Sequence, residues 1–131
     1  MAVEYKGQCI TLKAAADLST SQFCIVKVDS SGEAALAVLV TDKPIGILQN
    51  NPVSGSEAEV MIGGVSKIKS SVALAKDAEV TADASGRGTT LTVAAGGTVY
   101  NYLVGRCLEA STAANGIAAV GIYPFGQRTL V

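Results

Sequence analysis

Histidine and tryptophan are both absent from this chain of 131 residues. Histidine is the side chain used most often as a general base and as a metal ligand, so its absence removes the Ser-His and Cys-His nucleophile pairs. The three cysteines, Cys9, Cys24 and Cys107, are too widely spaced to form a C-x-x-C zinc motif. We therefore expect no enzyme activity, no bound metal and no cofactor.

Other signals of a ligand or a compartment are also missing. No G-x-x-x-x-G-K-[ST] phosphate loop occurs, and Gly86-Arg87-Gly88 lies in a polar turn. The net charge is −1 and the charges are scattered, which gives no basic patch for nucleic acid. No run of apolar residues is long enough to span a membrane, and the N-terminus lacks the apolar core of a signal peptide. We interpret the isolated cysteines as buried thiols in a chain that folds in a reducing compartment.

Aromatic residues make up only 5% of the chain, whereas hydrophobic residues make up 49%. The core must therefore consist mainly of Val, Ile, Leu and Ala. The scarcity of aromatics argues against a sugar-binding platform. The length suits one domain with one core.

Residues 43–69 show most clearly how the chain is built. An apolar run at 45–48, a segment at 57–62 that begins with alternating acidic residues and ends apolar, and an alternating segment at 65–69 are separated by turn formers. Gly and Pro interrupt this stretch too often for a helix. Gly63-Gly64 is typical of a two-residue primed turn, so we predict a hairpin in which Ile62 lies opposite Val65. Glu57 and Glu59 share one strand face, where we expect solvated side chains and not a metal or acid–base site.

The same reasoning along the chain predicts many short strands. We expect strands at 8–12, 23–28, 33–40, 78–81, 89–94, 100–108 and 117–123, a loop at 13–21, and either a strand or a helical turn at 70–76. Val80 is expected to point inward and Thr81 outward, Gly105 to mark a bulge or a close backbone approach, and Pro124 to end the last strand. The predicted fold is all-β: a single small β-barrel or β-sandwich domain of short antiparallel strands over 8–131, with at most one or two helical turns.

One pattern occurs twice. Gly46-Ile47-Leu48, a polar loop and Val60-Met61-Ile62 are echoed by Gly105-Arg106-Cys107-Leu108, a polar loop and Val120-Gly121-Ile122. The loops differ in length, so we favour two similar hairpins within one domain over a true duplication.

These stretches together resemble the capsid cement, or head decoration, proteins of tailed bacteriophages. The resemblance rests on residues 44–50 (PIGILQN), 64–68 (GVSKI), 75–87 (AKDAEVTADASGR) and 104–110 (VGRCLEA), followed by the strand at 120–122. It implies a structural virion protein on the capsid exterior, made in the host cytoplasm. Its expected partners are the major capsid protein, whose neighbouring subunits it would clamp, and two further copies of itself in a homotrimer.

The resemblance also implies that an N-terminal arm and loops make the capsid contacts. Residues 1–7 form the predicted arm, and the candidate contact residues within it are Ala2, Val3, Glu4, Tyr5 and Lys6. Val3 and Tyr5 alternate with charged residues, a pattern that suits a strand added to the edge of a partner's sheet. The alternative is that these residues form an ordinary first strand of the domain. A surface- or carbohydrate-binding module of a phage fibre or adhesin is the alternative function.

Overall fold

The computed structural model describes residues 7–91 and 100–130, and it contains ten strands and no helix in these ranges. The predicted all-β fold is confirmed. The strands are, in chain order, β1 (Cys9–Lys13), β2 (Ile25–Val28), β3 (Ala34–Leu36), β4 (Pro44–Leu48), β5 (Glu57–Met61), β6 (Gly64–Lys69), β7 (Glu79–Ala82), β8 (Gly88–Thr90), β9 (Tyr100–Glu109) and β10 (Ile117–Leu130).

The strands form two antiparallel sheets of five. The first has the order β1-β5-β4-β2-β3, and the second has the order β6-β10-β9-β7-β8. In each sheet the two outer strands meet through one parallel bridge, between Ala14 and Ala34 in the first and between Ser70 and Gly88 in the second. Each sheet therefore curls until its edges touch, as in a small barrel.

The second sheet repeats the first strand for strand, since adding five to each strand number converts one order into the other. The irregular positions repeat as well. Phe23 (φ 67°) and Asp77 (φ 68°) both adopt the left-handed conformation just before β2 and β7. Their N–H groups donate to the carbonyls of Leu48 and Cys107, at 2.8 and 2.7 Å. We call residues 8–62 the first repeat and residues 64–122 the second repeat.

The turn that follows the second strand has the same hydrogen-bonding geometry in both repeats. Asp29 Oδ1 accepts hydrogen bonds from the N–H groups of Ser31 and Glu33. Asp83 Oδ1 accepts equivalent bonds from Ser85 and Arg87. In both turns an aspartate carboxylate satisfies backbone donors that the tight loop leaves unpaired, which is why the predicted DSSG and DASG turns form.

The central hairpin of each repeat depends on a glycine. A Cβ atom on Gly46 would overlap the carbonyl oxygen of Met61, and one on Gly105 would overlap that of Gly121. The expected close approach at Gly105 is confirmed, and Gly46 serves the same purpose. The two similar hairpins expected from the sequence are thus present, and each is the centre of a larger structural repeat that loops of unequal length hide in the sequence.

The two hydrophobic core clusters differ in which repeats contribute their residues. One cluster lies wholly within the first repeat and includes Val26, Leu48 and Val60. The other combines the second repeat's Val80, Cys107 and Val120 with four residues of the first, which are Ile25, Ala37, Ile47 and Met61. The first repeat therefore buries part of its surface against the second, and these apolar contacts join the two sheets.

The predicted hairpin at Gly63-Gly64 is wrong. β5 pairs with β1 on one side and β4 on the other, so it has no free edge for β6. β6 pairs instead with β10 in the other sheet. The two glycines carry the chain from one repeat to the next. Glu57 lies opposite Lys13 of β1, and β5 does not pair with residues 65–69 as the predicted hairpin required.

Several strand limits also differ from expectation. Phe23 precedes β2 because of its positive φ, and β3 ends at Leu36.

Thr81, expected to face outward, is buried and its hydroxyl donates to the Tyr102 carbonyl at 2.9 Å. β10 continues through Pro124 because the register with β9 is broken between Ile122 and Gln127, where a residue without an N–H is tolerated. Residues 70–76 form neither a helical turn nor a strand, apart from isolated bridges.

The close glycine contacts predict a matched pair of stability effects. Gly46→Ala and Gly105→Ala each force two backbones apart, so each should lower the free energy of unfolding by about 3 kcal/mol. Gly121→Ala is the control, since its Cβ would meet Leu108 at an ordinary 3.5 Å, and it should change stability by less than about 1 kcal/mol. Urea unfolding midpoints measure all three, and equal stability of the Gly46 and Gly121 variants would contradict the account.

Candidate partner-binding surface

The predicted contact residues Ala2, Val3, Glu4, Tyr5 and Lys6 lie outside the described residues, as do residues 92–99 of the predicted strand and turn near position 95. The described chain begins at Gly7, directly before the outer strand β1 of the first sheet. A contact surface must therefore be sought in the loops and grooves of the described residues.

The loop that leaves β3 exposes two large aliphatic side chains. Leu39 is 58% exposed and Val40 is 37% exposed. We call residues 38–42 the apolar loop. Covering such side chains with a partner removes apolar surface from water and lowers the free energy, so this loop tip is a candidate contact surface.

A carboxylate holds the apolar loop in shape. Asp42 Oδ2 accepts hydrogen bonds from the N–H groups of Val38 and Leu39, at 3.0 and 3.1 Å. Its Oδ1 accepts a third bond from Lys27 Nζ at 3.0 Å. On the far side, the Val40 carbonyl accepts a bond from the Tyr102 N–H of the second repeat at 2.8 Å. The loop is therefore pre-shaped, which lowers the entropy lost when a partner binds.

The ionisation of Asp42 reflects this arrangement. Burial on its own raises the pKa of the carboxyl, but the hydrogen bonds from Val38, Lys27 and Leu39 outweigh it, and the net pKa lies below the ordinary value of 3.8. The charged form is thus favoured in the folded state.

A polar groove lies between the two repeats. Its volume is about 450 Å³, and it is open to solvent along one side. Arg87 lies in its wall, held by Asp83 at 3.0 Å and by Asn115 Oδ1 at 2.8 Å. The residues that line the groove are Thr20, Ser21, Cys24, Leu36, Lys69, Ser85, Arg87 and Asn115. This lining is mainly basic and hydroxylic.

The carboxylates and thiols singled out in the sequence do not assemble into a reactive centre. Glu57 and Glu59 both lie on the exposed face of β5, as expected. Within residues 7–91 and 100–130 no group of three His, Cys, Asp or Glu side chains is placed to hold a metal ion. Burial raises the pKa of the Cys24 and Cys107 thiols and keeps them protonated. Cys9 is exposed, contrary to expectation, because it lies on the outer side of β1.

The sequence did not reveal the apolar loop, because residues 33–40 read as one continuous strand. The signal was present in Asp42, whose spacing from Val38 and Leu39 suits a side chain that accepts bonds from the preceding backbone. No helix within the described ranges is long and apolar enough to span a membrane.

A comparison with protein families agrees with the resemblance inferred from the sequence. A family model described as "Phage cement protein" matches residues 5–122. The matched span includes both repeats and the apolar loop. A search among curated proteins finds no match.

Asp42→Asn should destabilise the fold by about 1 to 2 kcal/mol, because a neutral amide keeps one acceptor and loses the charge-assisted bonds. Asp42 has a lowered pKa in the fold, so its contribution is present above pH 3.8 and is lost as the pH falls through the folded-state value. The difference from the natural chain, measured by urea unfolding at several pH values, should therefore vanish in acid. Glu57→Gln removes an exposed carboxylate as a control, and an equal effect of both variants would contradict the assignment.

Proposed function

Because the chain belongs to the phage cement protein family, we propose that it binds the outer surface of a phage capsid and clamps neighbouring major capsid subunits. The family gives the chain a structural, capsid-stabilising role in a bacteriophage, and this observation carries the proposal. We further propose that the protein acts as a homotrimer. Many weak contacts repeated over a lattice then sum to a strong overall attachment.

The shape of the described chain supports this proposal. Two closed, tightly packed repeats give a rigid platform, and its exposed aliphatic side chains lie at a loop tip held by Asp42. A protein that stabilises a shell against internal pressure benefits from such rigidity. A rigid protein also loses little conformational entropy when it docks. Among the described side chains no exposed aromatic platform is found, so nothing in the geometry favours a carbohydrate-binding module.

We propose two contact regions. The first is the N-terminal segment, in which Val3 and Tyr5 would insert alternately as an added strand on the capsid protein. The second is the apolar loop, whose Leu39 and Val40 side chains would be covered by the shell. An arm and a loop tip together allow one copy to reach two capsid subunits.

The arm is tested by comparing two double variants. Val3→Ser with Tyr5→Ser removes the apolar side chains and should weaken co-sedimentation with undecorated capsids at least about tenfold, since each buried apolar side chain contributes more than 1 kcal/mol. Glu4→Gln with Lys6→Gln changes the other face and should bind nearly as well as the natural chain. Equal binding of all three proteins would remove the arm from the proposal.

The apolar loop is tested in the same assay. Leu39→Ser with Val40→Ser should reduce capsid binding about tenfold or more while the protein remains folded, because the two side chains are 58% and 37% exposed in the unbound protein. Val28→Ser with Val53→Ser is the control, as these residues are 43% and 55% exposed outside the loop. If the control weakens binding as much as the loop variant, the loop is not a specific contact, and a protein that never pellets with capsids would contradict the function itself.

A further inference from the structure

A short segment of the first repeat is inserted into the second repeat. Lys69, at the end of β6, donates its N–H to the Phe23 carbonyl at 2.9 Å. Ile25 donates its own N–H to the Gly86 carbonyl at 2.7 Å. Residues 23–25 thus lie between β6 and the turn at residues 83–87, and they pair with both. We call the space between the Lys69 N–H and the Gly86 carbonyl the gap of the second repeat.

The first repeat has the same gap. Lys13 occupies the position of Lys69, because the N–H groups that follow them, on Ala14 and Ser70, make equivalent bonds to the carbonyls of Ser56 and Gly116. Alternation along an antiparallel pair then directs the N–H of Lys13 away from β5. Gly32, the counterpart of Gly86, stands on the opposite side of this gap.

The gap of the first repeat is open where that of the second is filled. A Cβ on Gly86 would lie 3.0 Å from the Leu36 side chain, whereas a Cβ on Gly32 would meet nothing within 4 Å. Gly32 is exposed and Gly86 is buried. Within the described residues no backbone group is hydrogen-bonded to the Lys13 N–H or the Gly32 carbonyl across this gap. Beside the gap the sheet edges meet at the Ala14–Ala34 bridge, and a 3.7 Å ion pair joins Lys13 to Glu33.

The chain also carries a second copy of the inserted segment. Residues 77–79 are the counterpart of residues 23–25, and Asp77 has the same left-handed backbone as Phe23, with φ values of 68° and 67°. Unlike Phe23 and Ile25, both Asp77 and Glu79 face solvent, and the Asp77 side chain is 78% exposed. The outer surface of the second repeat is therefore free, within the described residues, to meet another molecule.

We propose that residues 77–79 of one copy insert into the first-repeat gap of the next copy. The Asp77 carbonyl then accepts a hydrogen bond from Lys13 N–H, and Glu79 N–H donates to the Gly32 carbonyl. The contact between copies repeats the contact between the two repeats of one chain, so the occupant of the gap is a second copy of this chain. This inference does not require that the protein binds capsids.

The side chains make this contact weaker than the one inside the chain. Glu79 replaces the buried Ile25, and Thr90 replaces Leu36, so apolar burial is largely lost. Lys13 is attracted to the carboxylates of Asp77 and Glu79, which makes the contact polar and sensitive to salt. Such a contact leaves the free protein soluble and forms when copies are concentrated side by side.

The proposed contact is head to tail, because it joins two different surfaces. Head-to-tail contacts generate a closed ring if the rotation between copies closes and a filament if it does not. In a trimeric ring, the first and second repeats of successive copies would alternate around one circle. The contact thus provides a route to the homotrimer proposed above, although it stands on a different observation.

Cysteine cross-linking tests the contact with two single variants in a Cys9→Ser background. Within the chain, a Cβ on Gly86 lies 3.4 Å from the Leu36 Cβ, close to the separation found in disulfides. The equivalent positions between copies are Gly32 and Thr90. We therefore expect Gly32→Cys mixed with Thr90→Cys to give disulfide-linked dimers on a non-reducing gel after mild oxidation at high protein concentration, and to do so less in high salt.

The controls separate this contact from other associations. Neither variant alone should cross-link, because the contact is not symmetric, and Ser54→Cys mixed with Thr90→Cys should give none. Ser31→Cys repeats the experiment next to Gly32 without a side chain at positive φ. Dimers from a single variant, or no dimers from either mixture, would overturn the proposal. On decorated shells, cross-linking of the Gly32→Cys variant to capsid protein instead of to the Thr90→Cys variant would also overturn the proposal. Because the mixing experiment contains no capsid, its failure is distinct from a failure of capsid binding.

Discussion

The architecture depends on the three residues of backbone that pass from one repeat into the other. Phe23 and Ile25 satisfy one carbonyl and one N–H of the second repeat, and in doing so they bring Ile25 into the shared core. The left-handed conformation of Phe23 is unfavourable for a bulky residue, and a cost of about 1 to 3 kcal/mol is tolerated because the surrounding contacts determine it. Besides this insertion, one further backbone hydrogen bond, from the Tyr102 N–H to the Val40 carbonyl, joins the two repeats among the described residues.

The insertion also explains why two repeats with one backbone plan have different surfaces. The outer side of the first repeat is buried by the second, so Ile25, Ile47 and Met61 are apolar there. The corresponding side of the second repeat faces solvent, and it carries Glu79 and the ion pair between Asp77 and Arg106. Terminal units in repeat proteins follow the same rule, since their outer faces must remain soluble.

Local chemistry made much of the fold predictable. The turns at Asp29 and Asp83, the alternation in β1, and the close approach at Gly105 follow from residue types whose preferences act over a few positions. The pairing of strands was less accessible, because it depends on which edges are already occupied. Gly63-Gly64 consists of residues typical of a hairpin turn. However, β5 is already paired on both sides, with β1 (residues 9–13) and β4 (residues 44–48), and nothing in the sequence around the two glycines indicates that pairing. Pro124 and Thr81 were misread for the same reason: a register break and a covering strand decided their environment.

For the candidate site, family resemblance located the class of function, whereas the contact surface needed coordinates. The apolar loop forms because Asp42 collects three hydrogen bonds, an arrangement that propensities for residues 33–40 do not show. We propose that this two-repeat chain, a member of the phage cement protein family, binds the outside of a phage shell as a rigid body. A cryo-electron microscopy reconstruction of decorated capsids tests it most directly. We predict external density with two lobes per copy that bridges neighbouring major capsid subunits, and density confined to the shell interior, or its absence from the shell, would contradict the account.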